Sequence, residues 1–368
     1  MSKMKKTHQA RIKICTYAIS KNEEKHIARW LEATKDSDYR VVFDTGSTDK
    51  TVELLKAGGV TVGEGIITPW RFDYARNRAL DLVPQDADVC LSLDMDEVPE
   101  KNFYRKVQKQ WVRGTERGWI NITTVFTWRV DRLHSRNGWE WRWPCHEVAM
   151  WKAGGEVPYC DTTATIVHLP DETKSRGQYM TLLANAVKTD EYKDDARMWT
   201  YLCREYYFHG MWAKVIESAE KALSYDGWEV ELAAICRWAG DAARSLKIDA
   251  AYWFDRGASL CASQGEPWLG VAAQAFRDHK WEKALDAAIK VIESPIQNHY
   301  LHEPTAWSYK AYHIAMDCAY NLGYLDEAIS FGREALKAKG PESERIKRNL
   351  TFMEGLKNNV PLPQTKSN

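Results

Sequence analysis

The chain has 368 residues, more than one hydrophobic core usually supports, so two domains are expected. Hydrophobic residues make up 44% and charged residues 28%, the balance of an ordinary globular protein rather than a disordered or fibrous one. Lys plus Arg and Asp plus Glu are each 51, so no global charge draws the chain to nucleic acid or anionic lipid.

In chain order, the opening MSKMKKTHQARIKIC carries charge without an apolar stretch, so no secretory signal is expected. Ile12–Ala18 (IKICTYA) reads as a buried strand, Glu23–Thr34 as a helix and Arg40–Phe43 as a second strand. That strand runs into Asp44-Thr45-Gly46-Ser47, after which Thr48–Ala57 reads as a helix and Val60–Val62 as a short strand. Tyr74–Leu82 is a further helix and Asp88–Leu93 (DVCLSL) a third long strand. Strand–helix–strand at this spacing implies right-handed crossovers and a mostly parallel sheet, whose ligands bind beyond the carboxyl ends of the strands.

From about Gly177 the pattern turns to helices rich in Ala, Leu, Glu, Lys and Trp. The segments MWAKVI, KIDAAY, KWEKAL and YLDEAI align, their second residues Trp212, Ile248, Trp281 and Leu325 standing 36, 33 and 44 apart. The third step needs an insertion around Ser294–Thr305, and the small residues Val215, Ala251, Ala284 and Ala328 suit tight helix–helix contact. These segments resemble tetratricopeptide repeats. The domains expected are therefore 1–176 (α/β), 177–356 (helical repeats) and a flexible tail over 357–368. No run approaches ~20 apolar residues, so no membrane span is expected. The eight cysteines are scattered with no CxxC pair, which argues against a disulfide framework or metal cluster and for a cytoplasmic home.

The strongest chemical signal is Leu91-Ser92-Leu93-Asp94-Met95-Asp96-Glu97, an apolar strand that ends in two carboxylates two residues apart. Like charges there are costly unless a cation or a hydrogen-bond network compensates, and a divalent ion bridging to a diphosphate would do so. In DTGSTDKT, Gly46 and Ser47 have full structural explanations as turn and cap residues. Asp44 has none in the sequence, because an apolar residue would close that strand equally well, and it could accept hydrogen bonds from a nucleobase or ribose. In Trp70-Arg71-Phe72-Asp73-Tyr74-Ala75-Arg76-Asn77-Arg78, the arginines precede the carboxylate-tipped strand and suggest phosphate contact.

Together, TYAISKNEE, DTGSTDKT, FDYARNRAL and LSLDMDE, in this order and spacing over roughly residues 11–100, resemble the nucleotide-sugar-binding half of GT-A glycosyltransferases of the family 2 type. The resemblance implies a Rossmann-like α/β domain in which Thr16, Ala18 and Glu23 lie along the nucleoside and Asp44 binds the base. It also implies that Arg76 and Asn77 approach the donor, that Asp94 faces ribose and that Asp96 holds Mn2+ or Mg2+. No Gly-rich loop follows the first strand, so a dinucleotide-binding reading finds no support. Pro144-Cys145-His146-Glu147-Val148 is similar to the His-Glu element of relatives that carry helical repeats, and Ile166-Val167-His168 followed by Arg176 is similar to the segment that closes the domain.

The expected chemistry is a single displacement with inversion, from a nucleoside-diphosphate sugar (a UDP-sugar first) to an acceptor hydroxyl. Glu147 is the candidate base, with Glu97 the alternative, and His146 joins Asp96 as a metal ligand, His168 being a further candidate. Of the 17 tryptophans, Trp119, Trp128, Trp139, Trp141, Trp143 and Trp151 cluster where an acceptor would bind; Trp139, Trp141 and Trp143 on one strand face could stack sugars or pack on the repeats. A glycan, a peptide or protein, and modified DNA are the acceptors considered. The rival readings are a nucleotide-binding adaptor that works through its repeats and a nucleotidyltransferase. The sequons at Asn121 and Asn349 are read as coincidence.

Overall fold

The computed structural model describes residues 11–124, 127–171, 177–296, 301, 306 and 308–359, so Arg176, most of Ser294–Thr305 and nearly all of the tail lie outside the described residues. The chain divides into two compact units, Met1–Leu183 and Ala184–Asn368.

Unit 1 is built on β1 (Ile14–Ser20), whose residues are almost all buried because both faces of this central strand are covered. β2 (Tyr39–Asp44) and β4 (Val89–Ser92) flank it, both parallel, and β3 (Thr61–Glu64) extends the sheet beyond β2. α1 (Glu24–Ala33) buries Ile27 and Trp30 in one core layer, in which Ala18, Val42 and Leu91 also sit. α3 (Phe72–Asp81) supplies Ala79 and Leu80 to the layer that contains Cys15, Tyr17 and Val41. α2 (Thr51–Ala57) precedes β3.

The second half of the sheet contains β5 (Glu97–Pro99), β6 (Arg117–Thr123), β7 (Thr127–Ser135) and β10 (Tyr159–His168), in the full order β3-β2-β1-β4-β7-β6-β10-β5. Among the described residues four of its seven strand pairings are parallel and three antiparallel, so the sheet is mixed with a parallel first half. α4 (Phe103–Gln110) packs on β10 with Phe103, Tyr104 and Val107 buried, and α5 (Gln178–Ala186) follows β10 in the chain.

The link from β4 to β5 is only residues 93–96, yet three strands stand between them in the sheet order. A flat sheet would set those two strands about 19 Å apart, beyond the roughly 17 Å that five fully extended residue steps reach. The link is not even extended, because the Glu97 amide donates back to Asp94 O at 3.1 Å in a tight turn. The sheet therefore curls. The end of β10 returns to this turn, where the Leu169 amide donates to Asp96 O at 2.9 Å.

β8 (Trp139–Arg142) and β9 (Val148–Trp151) form a separate antiparallel pair. Trp139 and Trp141 share a core cluster with Tyr17, Ala79 and Leu80, and the Trp141 indole donates to Tyr17 Oη at 2.9 Å. These two tryptophans belong to the core of unit 1. Trp143 lies past the end of β8 at φ +78° and does not share their face.

In unit 2, α6 (Ala196–Phe208) and α7 (Trp212–Ala222), α8 (Glu229–Leu246) and α9 (Ala251–Leu260), α10 (Gly265–Arg277) and α11 (Trp281–Glu293), and α12 (Tyr309–Asn321) and α13 (Leu325–Lys337) form successive helix pairs, before α14 (Ser343–Asn359). One device closes each pair. A residue in the left-handed region (Gly210, Lys247, His279, Gly323) is followed by an amide that donates five residues back: Met211 to Tyr206 O, Ile248 to Ala243 O, Lys280 to Ala275 O and Tyr324 to Ala319 O, at 2.8–3.0 Å.

Val215, Ala284 and Ala328 are fully buried as the repeat reading expects. The second repeat is a correction. The helix start places Phe254, not Ala251, at the position of Val215, and Ala251 is only half-buried. The small partners have moved to the neighbouring helices, where a Cβ at Gly240 or Gly270 would run into the Phe254 ring. Among the described residues, no helix is long and apolar enough to cross a membrane.

Candidate active site

The end of β4 and the turn after it collect the charged groups. Arg76, 6% exposed on the buried side of α3, donates through Nη1 and Nη2 to the two oxygens of Asp94 at 2.9 and 3.2 Å. Its Nε donates to Glu147 Oε1 at 2.5 Å, and Nη1 also reaches Ser92 Oγ at 3.2 Å. The guanidinium lies over the Trp141 ring, 4.9 Å from its centre. A planar five-donor fork suits this arrangement, and an ammonium would not.

Glu97, 2% exposed, folds back to accept from the Asp94 amide at 2.9 Å and from Arg132 of β7 at 3.2 Å. Arg132 also stands 3.8 Å from Asp94. β7 carries a register irregularity opposite Gly118 and Ile120, next to Arg132. The sequence reading missed Arg132. Nothing local marks it, because its partners come from another part of the chain.

Burial opposes the charge on Arg76, but Asp94 and Glu147 outweigh it and raise its pKa well above the ordinary value. Burial likewise opposes ionisation of Asp94, yet Arg76 and Arg132 hold its carboxyl below the usual carboxylate range. Burial pushes Glu97 up, and the Asp94 charge adds to this against the pull of Arg132. His168 is raised, first by its hydrogen bond to Asp96.

His168 Nε2 lies 3.4 Å from Asp96 Oδ2, with both side chains about a quarter exposed. This is the imidazole that reaches Asp96. His146, the one expected there, sits at φ +54° with its ring 5.4 Å from Tyr179. Among the described residues, Asp94, Asp96, Glu97 and Glu147 face the guanidinium groups of Arg76 and Arg132 and the His168 imidazole.

Among the described residues, no three or more His, Cys, Asp or Glu side chains stand in metal-holding geometry. Of the side chains expected to hold a metal, Asp96 is the carboxylate that reaches solvent, and His168 rather than His146 stands beside it. Ions such as Mn2+ or Mg2+ are usually held through one or two carboxylates and the substrate's phosphates.

Several expected ligand-binding side chains have other work. Asp44 accepts four hydrogen bonds, from Gly46 N (3.0 Å), Ser47 N (2.7 Å), Ser47 Oγ (2.6 Å) and Ser20 Oγ (2.8 Å), so its carboxylate caps the turn after β2. This corrects the expectation that it lacks a structural role. Asn77 uses both ends of its amide on the Trp141 backbone, at 2.8 and 2.9 Å, and so docks β8 onto α3. The Thr16 hydroxyl is within 2.9 Å of Ser37 Oγ and Tyr104 Oη, and the Ala18 methyl is fully buried. The Glu23 amide donates to Thr51 Oγ1 at 2.7 Å, and its nearly buried carboxylate lies 4.0 Å from His26.

No family model matches the chain. An uncharacterized glycosyltransferase of Rickettsia typhi is 37% identical over 86 residues, which are 23% of this chain and 28% of that protein. Its counterpart in Rickettsia prowazekii is 36% identical over 86 residues, with the same shares. The chain thus spans less than a third of the length of the curated relatives it matches. Among solved structures, MamA aligns with a TM-score of 0.36 at 19% identity, over 47% of this chain and 93% of its own. YrrB, a TPR protein with an unusual peptide-binding site, aligns with a TM-score of 0.34 at 14% identity, over 49% and 81%. The chain is similar, over a short stretch, to proteins named glycosyltransferase.

Proposed function

We propose that unit 1 is a metal-dependent glycosyltransferase that moves a sugar from a nucleoside-diphosphate donor, a UDP-sugar first among them, to an acceptor hydroxyl with inversion. The observation that carries this reading is Arg76, bound to Asp94 and Glu147 beyond the carboxyl end of β4, beside the solvent-reaching Asp96–His168 pair. Bound with the diphosphate, Mn2+ or Mg2+ would neutralise the charge that develops on the leaving group.

Asp96 and His168 would hold that ion, and Asp94 is oriented by Arg76 and Arg132. Glu97 is a positioning residue, its carboxylate turned inward to the Asp94 amide and Arg132. Glu147 gives Oε1 to Arg76, while Oε2 has no hydrogen-bond partner among the described residues. Oε2 is the atom that takes the acceptor proton as the acceptor oxygen bonds to the anomeric carbon and the diphosphate oxygen leaves with the former bonding pair. Glycans, peptides and modified DNA all offer such a hydroxyl.

The test is calorimetry of the full chain against UDP, GDP, CDP and dTDP, with and without Mn2+, beside Asp96→Ala. Binding of one diphosphate that needs the metal, and is lost in the variant, supports the reading. If no diphosphate binds under any condition, the reading fails and a role centred on the repeats takes its place.

A further inference from the structure

We infer that Trp70, Phe72, His146 and Tyr179 form a carbohydrate acceptor subsite, on whose rings the acceptor sugar lies while its hydroxyl faces Glu147; this rests on the transferase reading above. The four rings form a continuous chain of edge-on contacts: Trp70–Phe72 at 5.0 Å, Phe72–Tyr179 at 5.8 Å and Tyr179–His146 at 5.4 Å between centres. All four side chains are half-buried rather than part of the core.

The cluster adjoins the proposed chemistry through the chain itself. Phe72 precedes Arg76 by four residues on α3, so both lie on one helix face. His146 precedes Glu147, and the Phe72 amide donates to Pro144 O at 2.9 Å, which pins the two segments together.

Two features mark the cluster as more than packing. The Trp70 Nε1–H is buried without a hydrogen-bond partner among the described residues. Leaving such a donor unpaired is costly, and two core tryptophans avoid it: Trp139 donates to Ser135 Oγ at 3.1 Å and Trp141 to Tyr17 Oη at 2.9 Å. The second feature is His146 at φ +54°, a conformation that non-glycine residues hold at a cost.

An indole N–H can only donate, so its partner is an oxygen. Apolar ring faces beside one such donor match a pyranose, which presents C–H groups on one face and hydroxyl oxygens at its rim. Arg71, the nearest cation in sequence, is held by Asp73 in a two-pronged contact at 2.6 and 3.0 Å, so the cluster is not built as a phosphate cradle.

The experiment is saturation-transfer NMR on the full chain with Mg2+ and UDP. The probes are methyl β-glucoside, methyl β-galactoside and methyl β-N-acetylglucosaminide, with a serine-containing peptide beside them. Trp70→Phe keeps a ring and removes the N–H, and Trp70→Ala removes both; UDP affinity and melting temperature are followed in each. At least one glycoside should receive saturation from the parent protein, about tenfold less affinity is expected in Trp70→Phe, and the signal should vanish in Trp70→Ala with UDP binding intact.

The inference is overturned if glycoside signals survive both substitutions, if only the peptide responds, or if no glycoside responds although UDP binds. It is also overturned if a folded Trp70→Phe loses UDP, which would make the cluster a donor-base pocket. Glycoside signals that depend on Trp70 without any nucleotide binding would keep the subsite and sink the transferase reading instead.

Discussion

Tyr17, His134 and Trp141 form a buried chain of hydrogen bonds with one possible placement of protons. His134 Nδ1 lies 2.7 Å from Ser135 O and must donate, so Nε2 accepts from Tyr17 Oη at 2.7 Å, and that oxygen accepts from Trp141. Burial drives the His134 pKa down from 6.5 to about 4, and its carbonyl contact offsets this only in part. The stability that comes from keeping it neutral is complete above 6.5 and is lost as pH falls from 6.5 towards 4. The full loss is about 3 kcal/mol. Urea melts across that interval should show it, and the same series on His134→Gln should be flatter; parallel pH slopes would sink the assignment.

Arg76→Lys tests the other buried charge. One ammonium cannot replace the fork to Asp94 and the bond to Glu147, so roughly 3 kcal/mol of stability and about 100-fold in sugar transfer should be lost. Urea melts and hydrolysis or transfer of sugars carried on the nucleoside diphosphate that calorimetry selects measure the two losses, and a Lys variant with parental activity would contradict the role.

Asp94 and Asp96 stand out in the sequence because a carboxylate pair after an apolar strand is uncommon, and Arg76 because it is one of three arginines before that strand; the fold brings Arg76 onto Asp94. That Asp44 and Asn77 also serve the fold is not visible in the sequence, because the hydroxyls and amides that bind Asp44 and the Trp141 backbone that binds Asn77 meet them only in the folded chain. Arg132 was not legible at all.

Among elements, the helix-pair closure gives the cleanest comparison, because the same backbone turn is occupied by different residues. Gly323 sits at φ +82° with open space where a Cβ would go, so Gly323→Ala reports backbone strain alone. It should destabilise unit 2 by about 1 kcal/mol. Lys247 holds the equivalent turn at φ +59° with a Cβ, so Lys247→Gly should stabilise by about 0.5–1 kcal/mol. Thermal melts of the pair check both signs, and the same sign in both would show that the turns are not equivalent. Phe254→Ala should cost about 3–5 kcal/mol, because the glycines at 240 and 270 leave nothing to fill its volume.

The sequence displayed three of these turns through their helix starts and hid the fourth behind a shifted register. The strands up to β4 were legible from their apolar runs. β10 was not, because YCDTTATIVH carries its buried alternation on Thr and Ala, whose weak hydrophobicity blurs the period of two.

For the whole molecule, length alone announces two cores, and the change of period near residue 177 comes close to where they part. What composition could not convey is how unevenly the charge is used: 51 basic and 51 acidic residues cancel overall, yet the β4 turn gathers four carboxylates, two guanidinium groups and the His168 imidazole in one place. A diphosphate meets repulsion there unless a divalent ion accompanies it, so nucleotide and metal should stabilise the fold only together. Each unit has its own apolar core, the condition for unfolding as a unit. A calorimetric scan of the full chain is therefore expected to resolve a transition that UDP with Mn2+ moves and one that it leaves in place. At a hundredfold excess over the dissociation constant, the shifted transition gains about 2.7 kcal/mol, and neither UDP nor Mn2+ alone reproduces that gain. A shift with UDP alone would mean that Arg76 and Arg132 suffice for the diphosphate, and the charge argument for the metal would fall.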